Sequence, residues 1–234
     1  MNDMKSLSDL INEKLIINKN SKIGPDIAFV PKDRKELIDI IDKRISQHID
    51  DKSYTVLDLN DIDVLNVDDF TRIFSYFLYE LSKSSITTIN VEYWDTSQVT
   101  TFSNMMAECA TIKEINLESW NVSSAIDMKK MFWNCKKLET VGDISDWRTL
   151  SCENMDNMFD GCQRLKNIGK LDGWNVYKVE SFASMFKDCK SLSNISFDTW
   201  KVNTQQLNKN SVRMMIANTN QKRPQWVLDA IRNK

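Results

Sequence analysis

Residues 94–109 read WDTSQVTTFSNMMAEC, and the pattern returns at 120–135 as WNVSSAIDMKKMFWNC, at 147–162 as WRTLSCENMDNMFDGC and at 174–189 as WNVYKVESFASMFKDC. The tryptophans Trp94, Trp120, Trp147, Trp174 and Trp200 stand 26, 27, 27 and 26 residues apart. A period of that length marks a chain built from stacked units, because one such unit is too small to bury its own apolar face.

Seven residues after each of the first four Trp come Thr101, Asp127, Asn154 and Ser181, side chains that can accept a hydrogen bond at a helix start. Directly behind them, at steps of 0, 3, 4 and 7, lie Phe102/Met105/Met106/Cys109 and Met128/Met131/Phe132/Cys135. Met155/Met158/Phe159/Cys162 and Phe182/Met185/Phe186/Cys189 repeat the set. That spacing predicts a capped helix of about two turns in each unit, too short to stand without neighbours. The pairs Ile112/Ile115, Leu138/Val141, Leu165/Ile168 and Leu192/Ile195 follow and predict a short strand. The two longer units carry their extra residue beside Gly142 and Gly169, the sign of a bulge or tight turn.

A degenerate unit precedes the first Trp, with Ile62 in the Trp place, Asp69 as cap and Phe70/Ile73/Phe74/Phe77 as its apolar face. Its helix is lengthened by extra residues around Tyr79–Ser84, and beyond Trp200 the pattern is expected to dissolve. The fold class that follows is an α/β solenoid, leucine-rich-repeat-like, with short parallel strands, short helices and helical caps at both ends. Residues 1–56 read as a helical leader or cap, 57–205 as about five repeat units and 206–234 as a helical C-terminal cap. In the leader, Ser6 with Asp9 resembles a capping box ahead of Leu7, Leu10, Ile11 and Leu15, and Asp33 with Glu36 opens a second helix carrying Leu37, Ile40, Ile41 and Ile45.

The repeated strings resemble the BspA-like leucine-rich repeat, also known as the mycoplasma lipoprotein-associated surface repeat, over roughly residues 57–205. The resemblance implies protein-binding or adhesion roles, and it carries no catalytic residues. Similar repeats behind short helical leaders occur in bacteriophage proteins, so a phage-encoded virion or host-interaction protein is one expectation. An adhesin exported without a classical signal is one alternative, and an enzyme with an unrecognised site is another.

Net charge is -2, which lacks the cationic surplus that phosphate backbones demand, so nucleic acid is not expected as the partner. Asn12, Glu13 and Lys14 break what would be a signal-peptide core, and no apolar run approaches the roughly 18 residues of a membrane span. A cytoplasmic or virion location without classical secretion follows. The repeating cysteines occupy the last apolar position of each unit, and Cys152 sits where other units have Val99, Ala125 and Val179, so all five read as core thiols. His48 has no C-x-x-C pair or nucleophile elbow to work with, and no metal, cofactor or catalytic constellation is expected.

What remains is a surface offered to a protein partner. Trp133 and Tyr177 are large aromatics outside the repeating columns, the type of side chain that anchors interfaces. The strand-face positions Asn90, Glu92, Asn116 and Glu118, with Lys170, Ser196 and Asp198 further along, complete the candidate binding set.

Overall fold

The computed structural model describes residues 26–193 and 195–232; the expected first leader helix lies outside the described residues. The second leader helix forms as α1, Arg34–His48. The Asp33 carboxylate accepts from Glu36 N–H, and the Glu36 carboxylate accepts from Lys32 N–H at 2.9 Å, so both sides of the start are satisfied. Leu37, Ile41 and Ile45, one helical face, are fully buried against the first layers of the stack. Arg44 clamps that face with a forked pair to Asp61 (both 3.0 Å) and a bond to the Asp58 carbonyl, and its hydrogen bond to Asp61 raises its pKa further.

Beyond α1 the chain lays down parallel layers. Strands β1 (Val56–Asp58), β2 (Thr88–Asn90) and β3 (Glu114–Ile115) pair in that order, with Leu57, Ile89 and Ile115 in register. Single parallel bridges extend the ladder through Glu114↔Thr140 and Thr140↔Asn167. Period-two alternation puts Leu57, Ile89, Ile115, Val141 and Ile168 inward. The strands stop early because the chain bends at Asx-type turns; in the two longer units Gly142 and Gly169 turn it with φ near +81° and +84°.

The helices expected on the other side of each unit do not form. The segment from Phe102 to Cys109 and its equivalents is a ribbon of tandem turns, with backbone in the left-handed region at the third and seventh places. Those places are Asn104 and Glu108, Lys130 and Asn134, Asn157 and Gly161, and Ser184 and Asp188. Alternate N–H groups close a local turn, as Met105 to Phe102 and Cys109 to Met106 do, while the others reach the next layer. Phe102, Asn104, Met106 and Glu108 donate to the carbonyls of Asp127, Lys129, Met131 and Trp133 at 2.7 to 2.8 Å. The physical reason is competition between partners: a two-turn helix leaves most of its end groups unpaired, whereas the neighbouring layer pairs one N–H in every two. Thr101, Asp127 and Asn154, expected as helix caps, instead accept from the N–H two residues on. They also form a second parallel ladder, Asp69↔Thr101↔Asp127↔Asn154↔Ser181. Among the described residues, only the degenerate unit keeps an α-helix on this side, where a 3-10 turn at Ser75–Phe77 runs into α2, Leu78–Lys83.

Between the two ladders the side chains stack in columns. Phe132, Phe159 and Phe186 lie face to face at 5.1 and 5.6 Å, and Trp147, Trp174 and Trp200 at 5.9 and 6.3 Å. Each indole N–H donates to a carbonyl of the preceding layer: Trp94 to Leu59, Trp120 to Val91, Trp147 to Leu117, Trp174 to Ile144 and Trp200 to Leu171. The five indoles are 2 to 4% exposed.

The pattern expected to end at Trp200 runs on. Trp226 stands 26 residues further, lies against Trp200 at 5.9 Å with its ring tilted by 31°, and donates to the Phe197 carbonyl at 3.0 Å, the same bond as its predecessors. Ser211 takes the cap place, donated to by Phe182 N–H, and Phe186 and Asp188 N–H reach Met215 and Ala217. The helix expected from Ser211 is one 3-10 turn, Ser211–Met214, and α3, Gln225–Arg232, follows Pro224 as the terminal helix.

Candidate interaction surfaces

The outward side chains are held by the backbone pairing beneath them. Asn90 lies half-buried in β2, and its carbonyl accepts from Leu59 N–H. Asn116 turns its side chain onto Glu118 N–H at 3.1 Å, and the Ser196 carbonyl accepts from Leu171 N–H. Glu92 is half-buried, while Glu118, Lys170 and Asp198 are exposed. Among these strand-face candidates, then, the Asn116 side chain serves a turn, the Ser196 hydroxyl bonds the Asp172 carboxylate of the neighbouring layer, and four carboxylates or amines remain presented to solvent or nearly so.

The two aromatic candidates separate. Trp133 is half-buried, with the Lys130 ammonium 4.6 Å from its ring and Asp160 as hydrogen-bond partner, so it is engaged laterally within its own surface. Tyr177 is 55% exposed. It rims a groove of ≈ 320 Å³ floored by Trp174 and Val176. Leu150, at the same offset one layer earlier, is also 55% exposed, whereas the exposed Ile126 belongs to a different column, between Thr100 and Glu153. Sequence reading passed over Leu150 as a surface residue; the available signal was an apolar residue where Ser97, Ser123 and Asn203 stand in other units. Two adjacent layers therefore offer an apolar ridge beside the groove.

The chemically reactive groups lie elsewhere. Cys109, Cys135, Cys152, Cys162 and Cys189 are free and buried, and the thiols of Cys135, Cys162 and Cys189 donate to the carbonyls of Met106, Phe132 and Phe159. Burial pushes the Cys135 and Cys152 thiols up to about 12 and the others upward as well. A thiol whose folded pKa lies above its unfolded value stabilises the fold fully below about pH 9, and that contribution is lost as pH rises toward 12. The unfolding free energy should therefore fall above pH 9 by up to about 1.4 kcal/mol per pH unit for each thiol. Urea titrations at pH 7 to 11 measure it; a Cys135→Ala, Cys162→Ala variant should show a shallower slope. A pH-independent midpoint would contradict the buried column. His48 stacks on Tyr54 at 3.8 Å near the end of α1. Among the described residues no three His, Cys, Asp or Glu side chains are grouped to hold a metal ion, and no helix is long and apolar enough to cross a membrane.

In-register layers with a repeated indole bond define the class: a repeat protein. A family model described as Mycoplasma protein of unknown function, DUF285, a BspA-like repeat family, matches residues 43–167 and 113–226. The chain belongs to this family. Its matched span reaches Trp226, in agreement with the sixth indole. No curated protein and no solved structure matches the chain.

Proposed function

We propose that the chain is a leucine-rich-repeat-like solenoid, closed by α1 and α3, that works without catalysis by presenting a rigid surface to a protein partner. The observation that carries this reading is the apolar ridge of Leu150 and Tyr177, exposed at the same place on two consecutive layers. Layer-to-layer hydrogen bonds fix the spacing of these side chains, so docking on them costs little further ordering. The narrower form of the proposal is a phage-encoded member acting in the host cytoplasm or in the virion, supported by the leader-plus-repeat layout; mass spectrometry of purified particles checks it.

The test of the broader form is affinity capture from a lysate of the producing or host cell. The wild-type chain should retain a protein that competes off with free chain, and Leu150→Ala, Tyr177→Ala should retain at least about tenfold less, the loss of roughly two anchoring side chains. Capture by the double variant equal to wild type would remove the ridge from the proposal. No retained protein at all would remove the interaction function.

A further inference from the structure

A second surface is carried by charge. Lys113, Glu139, Lys166 and Ser193 occupy one column, each N–H after the first donating to the carbonyl of the residue one layer back, at 2.7, 3.1 and 2.9 Å. The thiol bonds of Cys135, Cys162 and Cys189 stack the adjoining positions, so Lys136, Lys137, Arg164 and Lys190 meet Lys113 and Lys166 at the same corner. All six cations are exposed. At about 4.8 Å per layer the corner spans roughly 15 Å.

One carboxylate sits inside it. The Lys166 ammonium is 2.6 Å from Glu139 Oε2, and Lys166, then Arg164 and Lys113, hold the Glu139 carboxyl below its ordinary range. Lys136, Lys137, Arg164 and Lys190 have no carboxylate at ion-pair distance among the described residues. Glu139 thus displays, with a side chain of the protein itself, the group that this corner accepts.

We propose that this corner docks a short acidic segment of a partner protein, its carboxylates entering beside Glu139 between Lys136, Lys137 and Arg164. The proposal rests on the interaction reading above and adds the partner's chemistry at a separate surface. Three features favour a peptide over a nucleic acid. The positive strip is bounded by Glu108, Glu114 and Asp188, which repel a longer phosphate chain. Lysines dominate it, where forked phosphate recognition favours arginine. None of the exposed aromatics on which a base would stack, Tyr76, Tyr79, Tyr93 and Tyr177, belongs to it.

Fluorescence anisotropy of the full chain with a labelled octaglutamate peptide tests the proposal. Lys136→Glu, Lys137→Glu should weaken binding at least about tenfold, and raising salt from about 50 to about 300 mM should do the same, as ion pairing across exposed surface requires. Glu139→Gln should tighten binding several-fold, because it removes the internal competitor; a general lack of folding cannot mimic that. Lys178→Glu, Lys201→Glu, on another edge, should leave binding unchanged. The proposal is overturned by any of four results: no binding at low salt, indifference to the Lys136/Lys137 reversal, tighter binding of an oligothymidylate of equal charge through the same residues, or a self-association that the reversal abolishes. If the peptide fails while lysate capture through Tyr177 and Leu150 persists, this corner is excluded and the interaction function stands.

Discussion

Replacing Trp147 by alanine should cost about 4 kcal/mol, within the range for emptying a buried aromatic site. The indole is 2% exposed, stacks on Trp174 at 5.9 Å and donates to the Leu117 carbonyl at 3.1 Å. Collapse around the vacancy is resisted on both sides, because the layers above and below are held by their own backbone bonds. The Leu117 carbonyl keeps its bond from Trp120 N–H, so the polar part of the loss is one acceptor site rather than an orphaned group. Against a total stability of about 5–15 kcal/mol, a loss this large is visible directly in a urea titration. Trp226→Ala at the end of the same column should cost about half as much, since that indole is only partly buried. Tyr93→Ala, beside Trp94 but 43% exposed, should stay within about 1 kcal/mol of wild type. If all three losses came out equal, the indoles would not be sharing one interior column.

The columns were legible because stacking leaves each inward place no choice of chemistry. A residue at the Trp place must fill the same gap and reach the same carbonyl in every layer, so Trp recurs at Trp94 through Trp200. Trp226 escaped the reading for a geometric reason. Four residues are inserted between Trp200 and Ser211 and a matching stretch is missing before Trp226, so the spacing of 26 survives while every intermediate landmark shifts. The helices were misread because apolar residues at steps of 0, 3, 4 and 7 satisfy a ribbon of tandem turns as well as a helix. What distinguishes the two is backbone handedness at the third and seventh places. Asn104, Asn134, Asn157 and Gly161 signal it, while Glu108, Lys130, Ser184 and Asp188 hide it.

The two surfaces were legible to different degrees for a related reason. Tyr177 could be noticed within one unit, since it stands where serine stands elsewhere. Asn116 and Ser196 looked equally presentable, but the Asn116 amide is taken up by the turn that ends its strand and the Ser196 hydroxyl by the Asp172 carboxylate. The basic corner is invisible in the net charge of -2 and in any short window. Its cations are spread over three offsets from the Trp places, Lys136 and Lys190 at the first, Lys137 and Arg164 at the second, Lys113 and Lys166 at the third, and lateral pairing of layers is what gathers them.

The handedness of the ribbon has a mutational signature of its own, which Gly161→Val reads by sign. In a helix interior, valine in place of glycine would be neutral or slightly stabilising, by a few tenths of a kcal/mol. In this fold Gly161 has φ near +80°, and a Cβ there would lie 3.3 Å from the Asn134 Cα and 3.2 Å from its Oδ1 in the layer before. A β-branched residue in that region carries about 1–3 kcal/mol of backbone strain. The Asn134 backbone cannot yield cheaply, since its N–H is bonded to the Asp160 carbonyl at 2.7 Å. The expected outcome is a loss of about 3 kcal/mol in urea unfolding for Gly161→Val, with Gly161→Asn, a residue that tolerates the left-handed region, losing about 1. Asn157→Gly, at the third place of the same ribbon with φ near 55°, should leave stability unchanged or raise it slightly, where a helix would lose a few tenths of a kcal/mol. A Gly161→Val chain as stable as wild type would mean that the segment is helical after all, and the second ladder, which depends on those turns, would go with it.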